Sequence, residues 1–235
     1  MPGPAPLLTE FRKAADPAKA RLLAGFFKTG KGEYAEGDKF LGLTVPATRA
    51  IAKRYRDLPL PAVKRLLASP WHEHRLCALL LLEERFRREP GEREKIYRFY
   101  LANTRRINNW DLVDLSAPRI VGEWLKDKDR APLYLLAASK SLWERRIAMV
   151  ACFAFIYEGE SRDALAIAER LLGDKHDLMH KAVGWMLREV GKRCSEKALL
   201  GFLRRHYRRL PRTALRYAIE RFPEKRRKAL LAGRF

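Results

Sequence analysis

The sequence predicts an all-α protein, arranged as a right-handed α-solenoid of HEAT-like helical repeats. Three observations lead there. Prolines stand at the starts of stretches whose apolar residues recur with a helical period: Asp16-Pro17, Val45-Pro46, Leu60-Pro61, Leu210-Pro211 and Phe222-Pro223. A missing N–H and a fixed φ suit the first turn of a helix. No run of alternating apolar and polar residues bounded by hairpin turns competes with them. Helix starts also recur near Trp71, Trp110, Trp143, Asp177 and Leu210, at spacings of 39, 33, 34 and 33 residues. Each spacing holds a pair of helices, the sequence mark of a helical-repeat stack.

Taken in order, residues 1–235 are expected to form one domain. A helical hairpin occupies about 5–28, a Gly-rich loop about 29–39, and repeats about 40–235. Glu89-Pro90-Gly91 separates two helices. The apolar run from Ile147 to Tyr157 reads as a buried helix, far short of the ~20 residues that cross a membrane. Aligning the starts of the apolar runs places Arg75, Asp114, Arg146, Lys181 and Arg212 at corresponding positions, four cations and one acid. Carried on the inner helices of a solenoid, they would make the concave face a basic stripe with a single carboxylate in it.

The charge balance points to a partner. The chain has 49 Lys+Arg against 28 Asp+Glu, a net +21, and such a protein repels itself unless a polyanion is its normal ligand. Nucleic acid is the first candidate. From Arg204 to Phe235 there are 12 Lys/Arg against Glu220 and Glu224, interleaved with Tyr207, Tyr217 and Phe222. A solvated helical face accounts for one such run, but in a chain basic elsewhere too, phosphate contacts are favoured. With 47% hydrophobic residues the chain is not of disordered composition. Cys77, Cys152 and Cys194 form no CxxC, which argues against a disulfide framework or a zinc ribbon and for the cytoplasm. The opening, Met1 to Lys13, lacks the apolar core of a secretory signal. His176 and His180 are four apart, yet no HExxH or third ligand accompanies them, so no metal is expected. No Walker loop, GxGxxG or GxSxG is present, which removes support for nucleotide hydrolysis and serine-type acyl transfer.

Three segments carry candidate chemistry. In Asn108-Asn109-Trp110-Asp111-Leu112-Val113-Asp114, Trp110 and Asp114 share one helical face, an aromatic plane beside a carboxylate. Helix capping by Asn109 or Asp111 is the competing explanation. In Leu178 to Val190, Leu178, Met179, Ala182, Val183, Met186, Leu187 and Val190 form one apolar stripe. Trp185 lies off it, between Lys181 and Arg188 on the polar face. That placement suits stacking on a sugar, a base or a cationic ligand. Arg146 stands at a helix start ahead of apolar Val150 and Phe153. It is expected to be partly buried, either paired with a carboxylate such as Asp114 or holding a phosphate.

Trp110-Asp111-Leu112-Val113-Asp114, Trp143-Glu144-Arg145-Arg146 and Lys181-Ala182-Val183-Gly184-Trp185-Met186-Leu187-Arg188-Glu189, with Phe40-Leu41-Gly42-Leu43 followed by Pro46 and Arg49, together resemble the AlkD family of bacterial DNA alkylation-repair glycosylases. The resemblance runs from about Phe40 to Arg216 in the family's order. It implies a HEAT-like solenoid cradling duplex DNA in its concave face. It also implies a cofactor-free hydrolase that releases positively charged N3- or N7-alkylated purines, such as 3-methyladenine and 7-methylguanine, in base excision repair. On that resemblance Asp114 is the catalytic carboxylate, Trp110 and Trp185 are the flanking aromatics, and Arg146 supports the site. The lesion need not leave the base stack. Arg75, Lys181, Arg188, Arg212 and Arg216 are expected on the DNA. Relatives can place a Tyr in the N-terminal hairpin, where this chain has only Phe26 or Phe27 at a loosely similar place. The protein is expected to act as a monomer, in the cytoplasm and on the nucleoid. The rival reading is a non-catalytic HEAT-repeat scaffold for nucleic acid or protein, which the same repeats and charge would serve.

Overall fold

The computed structural model describes residues 4–235; Met1–Gly3 of the expected domain lie outside the described residues. Among the described residues all regular structure is helical, apart from an isolated bridge between Lys39 and Trp71. The chain is all-α, in keeping with an α-solenoid. It divides into two compact units, Met1–Leu112 and Val113–Phe235.

The first unit contains α1 (Ala5–Lys13), α2 (Pro17–Phe26), α3 (Val45–Arg54), α4 (Leu60–Leu67), α5 (His72–Arg88) and α6 (Arg93–Ala102). Asp16 caps α2, its Oδ1 accepting from the N–H groups of Ala18 and Lys19 at 3.0 and 3.1 Å, with Pro17 as the first helical residue. Helix α5 is the core element, buried all round from His72 to Leu82. A helix that deep exposes no polar face, so the polar residues of its first turn must find partners inside the protein. Glu73, 1% exposed, does so by accepting from the N–H groups of Leu41, Gly42 and Leu43 at 2.8–3.2 Å. Gly42 is required there: its φ is +93°, and a Cβ would sit 2.1 Å from the Asp16 carbonyl.

Helix α7 (Trp110–Ala117) begins in the first unit and ends in the second. A π-turn over Pro118–Gly122 follows, then α8 (Glu123–Leu125), α9 (Ala131–Ala137), α10 (Leu142–Ala151), α11 (Phe153–Tyr157), α12 (Arg162–Arg170), α13 (Asp177–Arg193), α14 (Glu196–His206), α15 (Arg212–Ala218) and α16 (Glu224–Leu231). The π-turn has a local cause: Pro118 has no N–H for the carbonyl four residues earlier, that of Asp114. Side-chain bonds within this unit repeat the sequence period. Lys126 reaches Glu158, Arg130 reaches Asp163, Arg146 reaches Asp114 and Leu178, Arg188 reaches Glu220 and Arg226 reaches Glu196, all across 30–33 residues. Each links a residue to its neighbour one repeat away.

The helix starts near Trp71, Trp110, Trp143, Asp177 and Leu210 are observed within two residues of those positions. Three details differ. Pro211 and Pro223 precede their helices as N-cap residues with ψ of 139° and 150°, whereas Pro17, Pro46 and Pro61 lie in first turns. The apolar run Ile147–Tyr157 is two helices, broken at Cys152, whose N–H turns back to Met149 O. The positional counterpart of Asp114, Arg146 and Lys181, each the fifth residue of its helix, is Arg216 and not Arg212, which opens α15.

Candidate active site

Within the second unit, Arg146 and Asp114 form a two-point ion pair. Nε donates to Oδ1 at 2.8 Å and Nη2 to Oδ2 at 2.7 Å, while Nη1 donates to the carbonyl of Leu178. Ser141 caps α10 and sets its start, and the following Ile147 to Ala151 are buried, so Arg146 is drawn inward with its helix. Its side chain is 5% exposed and that of Asp114 is 16% exposed. Of the two roles open to Arg146, the structure displays the ion pair. The planar fork matches the carboxylate and fixes its orientation.

Trp185 sits on α13, partly exposed, while Met179, Ala182, Val183, Met186, Leu187 and Val190 of the same helix are buried. Its ring lies 6.0 Å from that of Phe153, tilted by 36°. The preceding Gly184 lets α13 and α15 approach: a Cβ there would lie 2.5 Å from both the Ala214 carbonyl and the Tyr217 Cβ. Trp185 is thereby held on a helix with no room to shift toward α15.

Within the first unit, Trp110 is partly exposed and packs on the N-terminal hairpin. Its ring stacks on Phe27 at 5.2 Å and 20°, and meets the exposed Phe26 edge-on at 5.9 Å. Phe26 and Phe27 are therefore the aromatics that the hairpin places at Trp110. Behind them Phe27 stacks on Phe40, and both rings cover His72. Asn109 Oδ1 accepts from the Trp110 N–H at 2.8 Å, and Asp111 Oδ1 accepts from the Leu112 N–H at 2.8 Å, so both candidate caps do bind backbone at this helix start.

The expected DNA-binding cations divide. Arg212 and Arg216 are exposed on α15, and Arg212 also donates to the Leu231 carbonyl at 2.8 Å. Lys181 is 40% exposed with Asp177 at 2.8 Å. Arg188 is 18% exposed and pairs with Glu189 and Glu220. Arg75 departs from the expectation: it is 4% exposed, donates to Asp38 at 2.6 Å and to the Ser69 carbonyl at 3.1 Å, and is thus a buried structural cation. The cause is its place in the first turn of an all-round buried helix, where a guanidinium needs an internal carboxylate.

His72, Glu73 and Asp38 are not singled out by the sequence motifs. A signal exists in His72-Glu73-His74-Arg75, four polar residues opening the apolar run of α5. Burial holds His74 neutral, aided by Arg75 and Arg12, with its pKa down at about 4. Burial opposes the ionised form of Asp38, but hydrogen bonds from His72 and the charge of Arg75 outweigh it and hold the carboxyl below its usual range. Among the described residues no group of three or more His, Cys, Asp or Glu is placed to hold a metal ion. No described helix is long and apolar enough to cross a membrane.

A sequence model of the DNA alkylation repair enzyme family matches residues 7–222. Among solved structures, a protein described as a predicted DNA alkylation repair enzyme from Enterococcus faecalis matches with a TM-score of 0.67 at 16% identity, covering 89% of this chain and 97% of that one. At that identity the likeness is one of fold. A search of curated proteins finds no significant match.

Proposed function

The chain belongs to the DNA alkylation repair enzyme family, and on that premise we propose that it is a DNA glycosylase which hydrolyses the N-glycosidic bond of N3- or N7-alkylated purines in duplex DNA. A purine alkylated at either position carries a positive charge and is already a good leaving group. The remaining demand is to stabilise the sugar as it becomes an oxocarbenium-like cation. Asp114 supplies a fixed negative charge for that purpose and orients the attacking water. Trp110 and Trp185 offer electron-rich faces to the cationic nucleoside. Neutral bases gain neither benefit.

The observation that carries this reading is the Arg146–Asp114 pair: a buried guanidinium aligns a carboxylate that keeps 16% of its side chain accessible. Preorganised charge of this kind needs no rearrangement as the transition state forms. In this reading residues 1–235 act as a single HEAT-like repeat domain and a monomer, its inner face basic, with Lys181, Arg212 and Arg216 on phosphates and Arg188 beside them. It works in the cytoplasm on nucleoid DNA, without cofactor or metal.

The test is direct. Methylated duplex DNA is incubated with the protein and free 3-methyladenine and 7-methylguanine are quantified by chromatography, beside Asp114→Asn. Release by the wild type and its loss in the variant support the assignment. A wild type that binds DNA and releases no purine returns the scaffold reading.

A further inference from the structure

His72 is 2% exposed, yet both its ring nitrogens face carboxylates. Nδ1 lies 3.0 Å from Asp38 Oδ2 and Nε2 lies 2.8 Å from Asp111 Oδ2. Ionised carboxylates only accept, so satisfying both contacts takes a proton on each nitrogen, an imidazolium. Burial alone would push the His72 pKa down, but the bonds to Asp111 and Asp38 outweigh it and raise the value to about 9. The charged groups around it come from three elements: Asp38 from the loop, Asp111 from α7, and Arg75 on α5, which donates to the other oxygen of Asp38. The neighbouring Glu73 is turned to the Leu41–Leu43 backbone. Phe40 and Phe27 cover the ring at 4.5 and 5.0 Å.

Two routes lead from this ring to Trp110. One is covalent: Asp111 follows Trp110 directly, and Asn109, which accepts the Trp110 N–H, also approaches Asp38 at 3.5 Å. The other is stacking, because Phe27 lies against His72 on one side and Trp110 on the other.

We propose that the His72 imidazolium is the positioning residue for Trp110, cross-linking Asp38 of the loop to Asp111 of α7 so that the indole is presented at a set angle. The proposal rests on the reading of Trp110 as an aromatic face for the cationic purine. Loss of one ring proton sets a bare nitrogen against a carboxylate, breaks one arm of the cross-link and frees Trp110. Lesion processing then falls at alkaline pH while contacts made to phosphates elsewhere persist.

Single-turnover release of 7-methylguanine and affinity for undamaged duplex are measured from pH 6 to 10.5 for the wild type, His72→Gln, Asp111→Asn, Trp110→Ala and the His72→Gln/Trp110→Ala double variant. The fluorine resonance of Trp110 in 5-fluorotryptophan-labelled protein is followed over the same range. The wild-type rate and the Trp110 resonance are expected to titrate together near pH 9. In Asp111→Asn, which removes one stabilising carboxylate, both midpoints move to lower pH. His72→Gln loses about tenfold or more in rate through misplacement of the indole, keeps its affinity for undamaged duplex, and adds nothing to the Trp110→Ala defect. A Trp110 resonance indifferent to pH, or full additivity in the double variant, overturns the proposal. If His72→Gln does not fold, the wild-type and Asp111→Asn titrations decide. If the wild type releases no purine but the Trp110 resonance still follows His72, the glycosylase reading fails and the positioning role stands.

Discussion

Arg146 closes on Asp114 through two parallel hydrogen bonds and ties the pair to the Leu178 carbonyl, one repeat further along the chain. A carboxylate proposed to face a developing cation is thus already held by a buried one. The pair cannot be changed on one side without consequence for the other.

Asp114→Asn is expected to weaken both the fold and the proposed chemistry. Asn still accepts a hydrogen bond but leaves the 4%-exposed Arg146 without its counter-charge, so the variant is expected to lose about 2 kcal/mol, less than the full cost of deleting a buried partner. Excision of 3-methyladenine or 7-methylguanine should fall on the order of a hundredfold or more. Undamaged duplex should bind no more weakly, since the substitution removes a negative charge that repels phosphates. Thermal melts, purine release and binding isotherms check the three parts, and near-normal excision would refute the assignment.

Salt titrations of duplex binding separate surface cations from the buried one. Affinity should fall steeply with salt, and Arg212→Ala or Arg216→Ala should each lower the slope of log K against log salt by about one. Arg75→Ala should leave that slope alone and lower Tm, because Arg75 serves Asp38. Fluorescence anisotropy across a sodium chloride series shows which residues meet phosphates; a flat response rejects the basic binding face.

Stability should pass through a maximum around neutral pH. His72 has its folded pKa raised to about 9, so its contribution is complete below the unfolded value near 6.5 and disappears as pH rises through 9. His74 runs the other way: its folded pKa is lowered to about 4, so its contribution is complete above about 6.5 and is lost as pH falls toward 4. Calorimetry at pH 5, 7 and 9.5 should give the highest Tm at 7, and His72→Gln should flatten the alkaline side alone. An unchanged alkaline limb in that variant would mean that His72 carries no charge in the folded protein.

Gly184→Ala tests the seat of Trp185. The added methyl meets Ala214 O and Tyr217 Cβ at 2.5 Å, so α13 and α15 must separate at a cost of about 1–3 kcal/mol. A lower Tm together with an altered Trp185 environment is expected; a variant as stable as the wild type would show that the helix contact yields freely.

Local chemistry in the sequence is enough to determine the all-helical character and most helix starts. Proline position, Asp16 ahead of Pro17, and a period near 33 residues act over a few neighbouring residues or by repetition, and both can be read along a chain. The exposure of Trp185 follows similarly from its angle off the apolar stripe of α13. Which charge meets which does not follow. Arg75 and Arg146 stand at similar places in their helices; for Arg146 the sequence offers Asp114, 32 residues back, and a phosphate as equal alternatives, and for Arg75 nothing nearby points to burial against Asp38, 37 residues back. The position of His72 between Asp38 and Asp111 is equally remote from any local pattern. Periodicity reports which face of a helix is buried. Ion pairs depend on distances of a few ångströms between groups on different elements, and only the packing of those elements decides them.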